Sequence, residues 1–553
     1  MPAVGLCSEV RAGWDGGAVV RGRGKTVRSF HALVGALGIA LCALSPFGAA
    51  RAGETLNFSW PQNVGPLNPH LYSPNQMFAQ AMVYEPLVRY RADGAVVPWL
   101  ARSWEISADG RVYTFSLRPD VLFANGEAFD AKAVVANFDA VLANRARHQW
   151  LELANQIERV EVVDDLAFRL TLKEAYYPIL QELALPRPFR FIAPSRFGKA
   201  GGTKDGIVEP VGTGPWKLVA SGLGEYDLFE RNDAYWGEKP AYDKIMVKVI
   251  PDPTTRAIAF ETGDIDLIYG VDGPVYPDTF DRLRAMGLYT AALSAPVETR
   301  VLALNSNRAP TNELAVRQAL NHAIDKDTMI ASVFYGTQTR ADTLFSTNVP
   351  YADIALKPYA YDRARAAALL EAANWRFEAG SDLRSKDGKP LLIDLVFVGT
   401  DAVAKSMAEI VQGDLRKIGV GAVLVGEEES SVFSRQHDGR FGMIFNSTWG
   451  APFDPHAFVS SMRVPSHADY QAQRGLPDKA EIDATISRVL VTTDETERQA
   501  LYTKILTRLH DQAVYLPLTH VTAIALAKKA VGPLSFGAMS SEIPFENLVP
   551  LAP

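Results

Sequence analysis

Segments with helical and with strand periodicity alternate along most of this chain. Residues 112–117 alternate between polar and apolar side chains directly after the turn at residues 108–110, which predicts a strand of a hairpin. In residues 131–142 the large apolar side chains recur four positions apart, which predicts an amphipathic helix. The same pattern predicts further helices over residues 316–324, 362–375 and 406–418 and a strand over residues 391–397. Repeated exchange of helix and strand favours an α/β fold of two lobes over a single sheet.

Two places in the chain are candidates for a passage between the lobes. Ser294-Ala295-Pro296 interrupts the pattern just before an apolar strand at residues 301–304. A second apolar strand at residues 514–518 comes where the chain could return to the first lobe. We therefore predict a first lobe over residues 53–298, a second lobe over residues 299–520 and a return to the first lobe over residues 521–553.

The first 52 residues have the composition of an export signal. Five basic side chains precede an apolar run at residues 31–44, and Ala50-Arg51-Ala52 places small residues where signal peptidase requires them. The apolar run is too short for a membrane-spanning helix. We predict a signal peptide over residues 1–52, a mature chain that begins at Gly53, and a periplasmic location.

Removal of that segment changes both the cysteine content and the charge. Cys7 and Cys42 are the only cysteines of the 553 residues, so the mature chain has no disulfide framework and no cysteine-based metal site. The whole chain has a formal net charge of −7, and the removed segment contains six basic and two acidic side chains, so the mature chain carries −11. This acidic balance argues against a nucleic-acid partner, which requires a basic surface.

Motifs of common catalytic and nucleotide-binding sites are absent from the sequence. There is no GxxxxGK[ST], no GxGxxG after a strand, no GxSxG and no HExxH, and no two histidines lie three or four residues apart. Gly212-Thr213-Gly214-Pro215-Trp216 is rich in glycine, but Pro215 lacks the N–H that a phosphate cradle would use, so we interpret it as a structural turn. An exported hydrolase remains an alternative class, which a perturbed pair of carboxylates in a cleft would indicate.

A series of motifs extends over nearly the whole mature chain. They include Pro98-Trp99-Leu100-Ala101-Arg102-Ser103-Trp104, Tyr113-Thr114-Phe115, Arg231-Asn232-Asp233-Ala234-Tyr235-Trp236, Gly263-Asp264-Ile265-Asp266-Leu267 and Val316-Arg317-Gln318-Ala319-Leu320. In this order they resemble the peptide/nickel class of substrate-binding proteins of ABC transporters. Three further stretches resemble the nickel-binding branch of that class: Asn63-Val64-Gly65-Pro66-Leu67-Asn68-Pro69-His70-Leu71-Tyr72, residues 183–194 and Val464-Pro465-Ser466-His467-Ala468-Asp469.

The resemblance implies an α/β fold like that of periplasmic binding proteins of class II. Two hinged lobes close on a ligand, and a small extra subdomain near residues 90–200 makes a third part. It implies a monomer that does no catalysis and carries nickel, bound to a small organic chelator, to an inner-membrane ABC permease. Dipeptides, opine metallophores and haem are alternative ligands of the same cleft. The residues agree, because a chain without cysteine or clustered histidines cannot fill a nickel coordination sphere alone.

The resemblance also implies roles for individual residues. Arg147 and Arg187 match arginines that contact the carboxylates of the chelator, and His467 matches the histidine that ligates the metal. From the residues alone, Arg147 and Trp150 would lie on one face of a helix, with Arg147 in a surface ion pair and Trp150 packed in the core. Arg187 would pair with a buried acid, and His467 would be a solvated loop histidine. The positions that match the lining of the cleft are Trp60, Tyr72, Met77, Trp150, Trp449, Phe453 and Ser541, of which Trp60 and Tyr72 are also explained by core packing.

Five residues depart from the pattern of the class. Phe453 and Phe433 stand where tyrosines are usual, Asn446-Ser447 replaces a His-Arg pair, and Ser541 replaces a threonine. Each phenylalanine lacks a hydroxyl donor. We therefore predict a chelator that differs from that of similar members, while the two arginines and the histidine preserve the general mode of binding.

Overall fold

The computed structural model describes residues 54–71, 77–148, 150–271 and 274–551. The predicted signal peptide and Tyr72 lie outside the described residues. None of the helices within those four ranges is both long and apolar enough to span a bilayer.

Helices and strands alternate along the chain, as the sequence pattern predicts. The strands are β1 (Thr55–Trp60), β2 (Val88–Tyr90), β3 (Val96–Pro98), β4 (Ala101–Ile106), β5 (Val112–Leu117), β6 (Ile157–Asp164), β7 (Ala167–Leu172), β8 (Trp216–Gly222), β9 (Tyr226–Arg231), β10 (Lys244–Val249), β11 (Leu267–Gly270), β12 (Tyr289–Leu304), β13 (Thr339–Arg340), β14 (Arg376–Phe377), β15 (Arg384–Lys386), β16 (Lys389–Pro390), β17 (Leu392–Val398), β18 (Gly421–Glu427), β19 (Met443–Ser447), β20 (Tyr515–Lys528), β21 (Val531–Gly532) and β22 (Val549–Pro550). The helices are α1 (Met77–Val83), α2 (Ala131–Ala143), α3 (Glu152–Gln156), α4 (Ile179–Ala184), α5 (Pro253–Thr262), α6 (Pro277–Ala285), α7 (Leu314–Ala323), α8 (Lys326–Met329), α9 (Arg363–Ala372), α10 (Ala402–Arg416), α11 (Glu429–Asp438), α12 (His456–Ser461), α13 (Ala468–Gln473), α14 (Lys479–Val491) and α15 (Glu495–Asp511).

A four-stranded sheet with the order β1-β10-β9-β8 forms the base of the first lobe. β1 pairs with β10 in parallel, and the other two pairs are antiparallel. Leu56 and Phe58 of β1 and Ile245 and Val247 of β10 are each at most 1% exposed, so one face of the sheet is buried in the core. The sheet thus holds Trp60, the last residue of β1, at the edge of this core.

A second antiparallel sheet, β4-β5-β7-β6, belongs to the extra subdomain. Its β5 coincides with the strand predicted at residues 112–117, and α2 coincides with the predicted helix, so both predictions are confirmed. α2 begins after Asp130, whose carboxylate accepts the N–H of Ala133 at 2.8 Å. Its Phe138 packs on Phe168 of β7, with 6.0 Å between ring centroids. This subdomain carries Arg147 and leads to Arg187.

Two long strands, β12 and β20, run side by side through the largest sheet, β11-β20-β12-β19-β17-β18. One end of β20 pairs with β11 of the first lobe. The other end pairs with β13 and with one part of β12, and the same part of β12 also pairs with β19. Residues 294–296, which are a candidate passage between the lobes, lie inside β12. They shift its register, because the sheet continues on both sides of a bulge around Pro296. The limits predicted for the lobes stay a prediction.

The second lobe confirms the remaining elements that the periodicity predicts. α7, α9 and α10 cover the three predicted helices, and β17 covers the predicted strand, each shifted by up to four residues. Met407 and Val411 of α10 pack with Leu395 of β17 in one core, and all three are fully buried. The apolar spacing therefore identified the buried faces correctly.

The glycine-rich turn at residues 212–216 is structural, as predicted. A Cβ on Gly212 would lie 2.0 Å from the carbonyl oxygen of Val83, and one on Gly214 would lie 2.7 Å from the same oxygen. Only glycine allows this approach, and the N–H of Gly214 donates to that oxygen at 3.0 Å. The turn therefore fixes the carboxyl end of α1, whose first residue is Met77.

Candidate functional site

The two predicted arginines approach one buried histidine of the extra subdomain. Arg147 is exposed and lies in a single 3₁₀ turn, Arg145–His148. Burial, together with the positive charges of Arg147 and then Arg187, lowers the pKa of His148 to about 4. Both guanidinium groups therefore lie within electrostatic range of a neutral imidazole. The sequence analysis did not single out His148, because a lone histidine carries no pattern.

Arg187 contacts Trp150 rather than standing alone between its two prolines. The guanidinium carbon of Arg187 lies 4.7 Å from the centroid of the Trp150 ring, which is a cation–π distance. Trp150 is 40% exposed, so it is not a core residue. The expectation that Arg147 and Trp150 share one helix face is wrong, because the turn ends at His148 and α3 begins only at Glu152.

A buried carboxyl group holds Trp150 near Arg187. Glu182 of α4 accepts the N–H of Leu153 at 2.8 Å, which ties the chain just after Trp150 to the helix just before Arg187. Burial raises the pKa of Glu182 to about 8, and a hydrogen bond from Tyr176 opposes this shift. Sequence reasoning missed Glu182 because nothing in a helical pattern distinguishes a buried acid from an exposed one.

A row of rings leads from Trp150 to the second lobe. The ring of Trp150 lies 6.3 Å from that of Phe453, which lies 6.1 Å from that of Trp449. The Trp449 ring lies 5.7 Å from the imidazole of His467. Five of the predicted site residues, Arg187, Trp150, Phe453, Trp449 and His467, are therefore linked by successive side-chain contacts. We call them the binding row.

His467 is half-buried and directly precedes α13. Burial lowers its pKa below the ordinary value, and the negative charge of Asp469 opposes the shift. The imidazole is therefore neutral at pH 7, the form that ligates a metal ion. By contrast, His456 is buried at 3% exposure beside the ring of Tyr177, as expected of a structural histidine.

Two buried carboxyl groups support the second-lobe end of the row. Asp454 accepts the N–H of Trp449 at 3.1 Å and that of Gly450 at 2.9 Å. Asp469 accepts the hydroxyl of Tyr515 at 2.7 Å and the amide of Asn446 at 3.0 Å. Burial raises the pKa of both groups, for Asp454 to about 7. They form a perturbed pair, but both are 2% exposed and accept hydrogen bonds from the protein, so they hold parts of the protein together rather than face a substrate.

Three other predicted residues meet in a separate cavity of about 980 Å³ in the first lobe. Trp60, Met77 and Ser541 line it, together with Arg256 and Tyr269. Trp60 also packs on Phe78, with 4.5 Å between ring centroids, so it serves the core as well as the cavity. The predicted residues thus fall into the binding row, this cavity, and Arg147 beside His148.

Two further positions complete the account of the prediction. Tyr72 lies outside the described residues. Phe433, which stands where a tyrosine is usual, lies on α11 with 57% of its surface exposed. Within the described parts of the chain, no group of three or more histidine, cysteine or acidic side chains could hold a metal ion.

Comparison with known proteins identifies the family. The family model of the bacterial extracellular solute-binding proteins, family 5 Middle, matches residues 95–470. The chain belongs to this family. Its members are substrate-binding proteins of transport systems, and the predicted fold class and family are confirmed.

Individual relatives show how far the similarity extends. The chain is 60% identical over 504 residues to the nickel-binding periplasmic protein of Escherichia coli (strain K12), covering 91% of this chain and 96% of that protein. It is 70% identical to NikA from Brucella suis, solved in complex with Fe(III)-EDTA, with a TM-score of 0.88 over 90% of this chain and 99% of that chain. Heme-binding protein A of Haemophilus influenzae is 27% identical, covering 80% of this chain and 82% of that protein.

Proposed function

We propose that this chain captures nickel as a complex with a small organic chelator and delivers it to an inner-membrane ABC permease. The binding row carries the proposal, because it places a guanidinium and a neutral imidazole at opposite ends of one line of aromatic rings. The relative that is 60% identical is itself a nickel-binding periplasmic protein, which supports the choice of metal.

The donor set favours a chelate over the bare ion. Nickel prefers four to six ligands, whereas His467 is the single metal ligand that the row provides. Two arginines suit carboxylates, with which a guanidinium forms paired, charge-assisted hydrogen bonds. A chelator that bears carboxylates would therefore supply most ligands to the metal and bind the arginines with its remaining oxygens.

The aromatic rings determine what shape of ligand the row accepts. Trp150, Phe453 and Trp449 form an apolar surface that removes water from one side of the ligand, which strengthens the attraction between Arg187 and an anion. Phe453 offers no hydroxyl donor, so the ligand is bound at this point by contact alone. We infer a compact chelator whose carboxylates all point toward the first lobe.

The same proposal covers location, partners and chemistry. Cleavage before Gly53 would release a monomer into the periplasm, where it meets the permease. The extracellular family to which the chain belongs supports this location. The chain would do no catalysis, since the perturbed carboxyl groups Asp454 and Asp469 are buried and engaged in hydrogen bonds within the protein.

Calorimetric titration of the mature chain tests the proposal. Nickel in a buffer that does not coordinate metals is expected to bind weakly, because His467 alone holds it. Nickel with L-histidine or with citrate is expected to bind at least about tenfold more tightly, or 1.4 kcal/mol. Each chelator without metal is the control. Equal affinity for nickel with and without both chelators would contradict the proposal.

Native mass spectrometry of the protein purified from its own host distinguishes the alternative ligands. A mass that fits nickel plus a small carboxylate-bearing molecule supports the proposal. A dipeptide, a larger metallophore or haem would instead assign the cleft to a different solute.

A further inference from the structure

Arg190 is a buried arginine that the proposed function does not use. It is 2% exposed, and its guanidinium donates hydrogen bonds to three main-chain carbonyl groups. Its Nε donates to Leu185 at 2.7 Å, its Nη1 to Tyr84 at 2.8 Å and its Nη2 to Ala184 at 2.9 Å. Its own carbonyl oxygen accepts the Nε2–H of His70 at 3.0 Å. Arg190 thus connects three segments, and two of them, at Tyr84 and His70, lie 106 and 120 residues before it in the chain.

Each of these segments leads to a residue of the candidate site. Ala184 and Leu185 end α4 and precede Arg187 by three and two residues. Tyr84 follows α1, which begins at Met77 on the wall of the first-lobe cavity. His70 lies two residues before Tyr72 in the chain. Arg190 therefore fixes the arginine of the binding row relative to the wall of the cavity.

A fourth segment is connected to Arg190 by charge. Glu542 follows Ser541 and lines a second cavity together with Arg89 and Arg190. Burial raises the pKa of Glu542, and the positive charges of Arg190 and then Arg89 oppose that shift. The attraction between Glu542 and Arg190 therefore draws the segment that carries Ser541 toward the same hub.

The planar guanidinium explains why this position requires an arginine. Its donors have fixed directions, so three carbonyl groups that bind them are also fixed relative to one another. A lysine would retain the charge but could satisfy those carbonyl groups only one at a time, and a buried carbonyl group without a partner is destabilising. The arrangement of these carbonyl groups therefore depends on the forked shape of the guanidinium and not only on its charge.

We infer that Arg190 is a positioning residue of the cleft, which holds Arg187, Met77 and Ser541 in the arrangement that accepts one ligand. The inference rests on the proposed function for the identity of that ligand. The connection that Arg190 makes among the segments of Arg187, Met77 and Ser541 does not depend on which ligand binds.

Arg317 provides a matched control in the second lobe. It is also 2% exposed, its Nε donates to the carbonyl oxygen of Gln512 at 2.9 Å, and its Nη1 donates to those of Thr311 at 2.8 Å and Asn312 at 3.1 Å. None of these partners belongs to the binding row or lines the first-lobe cavity. A substitution of Arg317 should therefore cost stability without changing the cleft.

The test compares Arg190→Lys with Arg317→Lys in the mature chain. Thermal melting is expected to show a loss of stability in both variants. Titration with nickel and citrate is expected to show at least tenfold weaker binding for Arg190→Lys and less than twofold weaker binding for Arg317→Lys. If Arg190→Lys binds as tightly as Arg317→Lys, the inference is overturned. If Arg190→Lys does not fold, Glu542→Gln replaces it, with about threefold weaker binding expected and unchanged binding counting against the inference.

Hydrogen exchange supplies a readout that does not depend on any ligand. In Arg190→Lys, peptides that cover residues 77–84, 183–190 and 536–547 are expected to exchange faster than in the wild type, while peptides of the second lobe are unchanged. Unchanged exchange in all three peptides would overturn the inference. If the wild type binds no nickel complex but these peptides respond, the proposed function fails and the positioning role stands.

Discussion

The two ends of the binding row differ both in charge and in the way the protein holds them. The first-lobe end presents Arg187, a permanent cation, on a segment held by the buried hub of Arg190. The second-lobe end presents His467, a neutral base, next to Trp449, whose loop is held by the buried carboxyl group of Asp454. Buried groups thus support both the cationic end and the neutral end, and the two ends recognise different parts of a ligand.

This difference teaches that recognition of the organic shell and of the metal is separable. A guanidinium binds an anion at any accessible pH, because it cannot lose its proton. An imidazole binds a metal only when it is neutral and when the ion has an open coordination position. Substitutions at the two ends should therefore respond differently to the chelator and to pH.

The largest effect is expected from Arg187→Ala. The variant loses a partly buried partner of a carboxylate, and it also loses the cation–π contact with Trp150. Affinity for nickel with citrate should fall by about 2–5 kcal/mol, measured by calorimetric titration. Arg118→Ala is a control for loss of an arginine–tryptophan contact elsewhere, since Arg118 lies over the ring of Trp236. Normal binding by Arg187→Ala would place the ligand outside the binding row.

A smaller and more selective effect is expected from His467→Ala. Binding of nickel with an open coordination position should weaken by at least the roughly 10–100-fold that loss of an outer-shell partner costs. Nickel bound to a chelator that fills its coordination sphere should bind almost as before, because the arginines hold the shell. His456→Ala is the matched control. Equal losses for both kinds of complex would show that the two ends do not act separately.

The pH dependence of binding sharpens the same distinction. Because burial lowers the pKa of His467, its imidazole is neutral from pH 8 down to its ordinary pKa of about 6.5, and affinity should be constant over that interval. Below this interval a proton competes with the metal, so affinity falls. Wild type and His467→Ala are both titrated with the nickel complex at pH 5, 6, 7 and 8. The difference between their binding free energies cancels the effect of protonation of the chelator itself. A difference that does not shrink toward pH 5 would contradict a neutral imidazole ligand.

The effect of Arg147→Ala is expected to be modest. Arg147 is exposed in the structure, so its attraction for a carboxylate is screened by solvent and amounts to about 1 kcal/mol at most. Titration at low and at high salt measures it, and the loss should shrink at high salt. A loss as large as that of Arg187→Ala would mean that closure of the lobes buries Arg147.

The smallest effect is expected from Phe453→Tyr. The added hydroxyl lies between Trp150 and Trp449 and offers the ligand one neutral donor, worth about 0.5–1.5 kcal/mol. Competition between citrate and L-histidine complexes measures whether the gain depends on the chelator. Phe433→Tyr, on exposed α11, should change neither affinity. If Phe433→Tyr gains as much affinity as Phe453→Tyr, the binding row has no special role in recognising the chelator.

Patterns that repeat along the chain allowed most of the fold to be predicted. The helices α2, α7, α9 and α10 and the strands β5 and β17 have apolar residues at the spacing of one buried face, and each is confirmed. The sequence alone did not show that the interruption at residues 294–296 is a bulge inside β12, because a bulge and a break between two elements have the same sequence signal. Only the partner strand shows whether pairing resumes beyond it.

For the site, the resemblance to a known family predicted Arg187, Trp150, Trp449, Phe453 and His467, and their roles in binding stay a prediction. The tertiary structure alone decided that they form one row, because their contacts join segments up to about 300 residues apart in the chain. It also decided the roles of His148, Glu182, Asp454 and Arg190. A buried charged group is defined by the partners around it, and those partners come from segments that no local pattern relates.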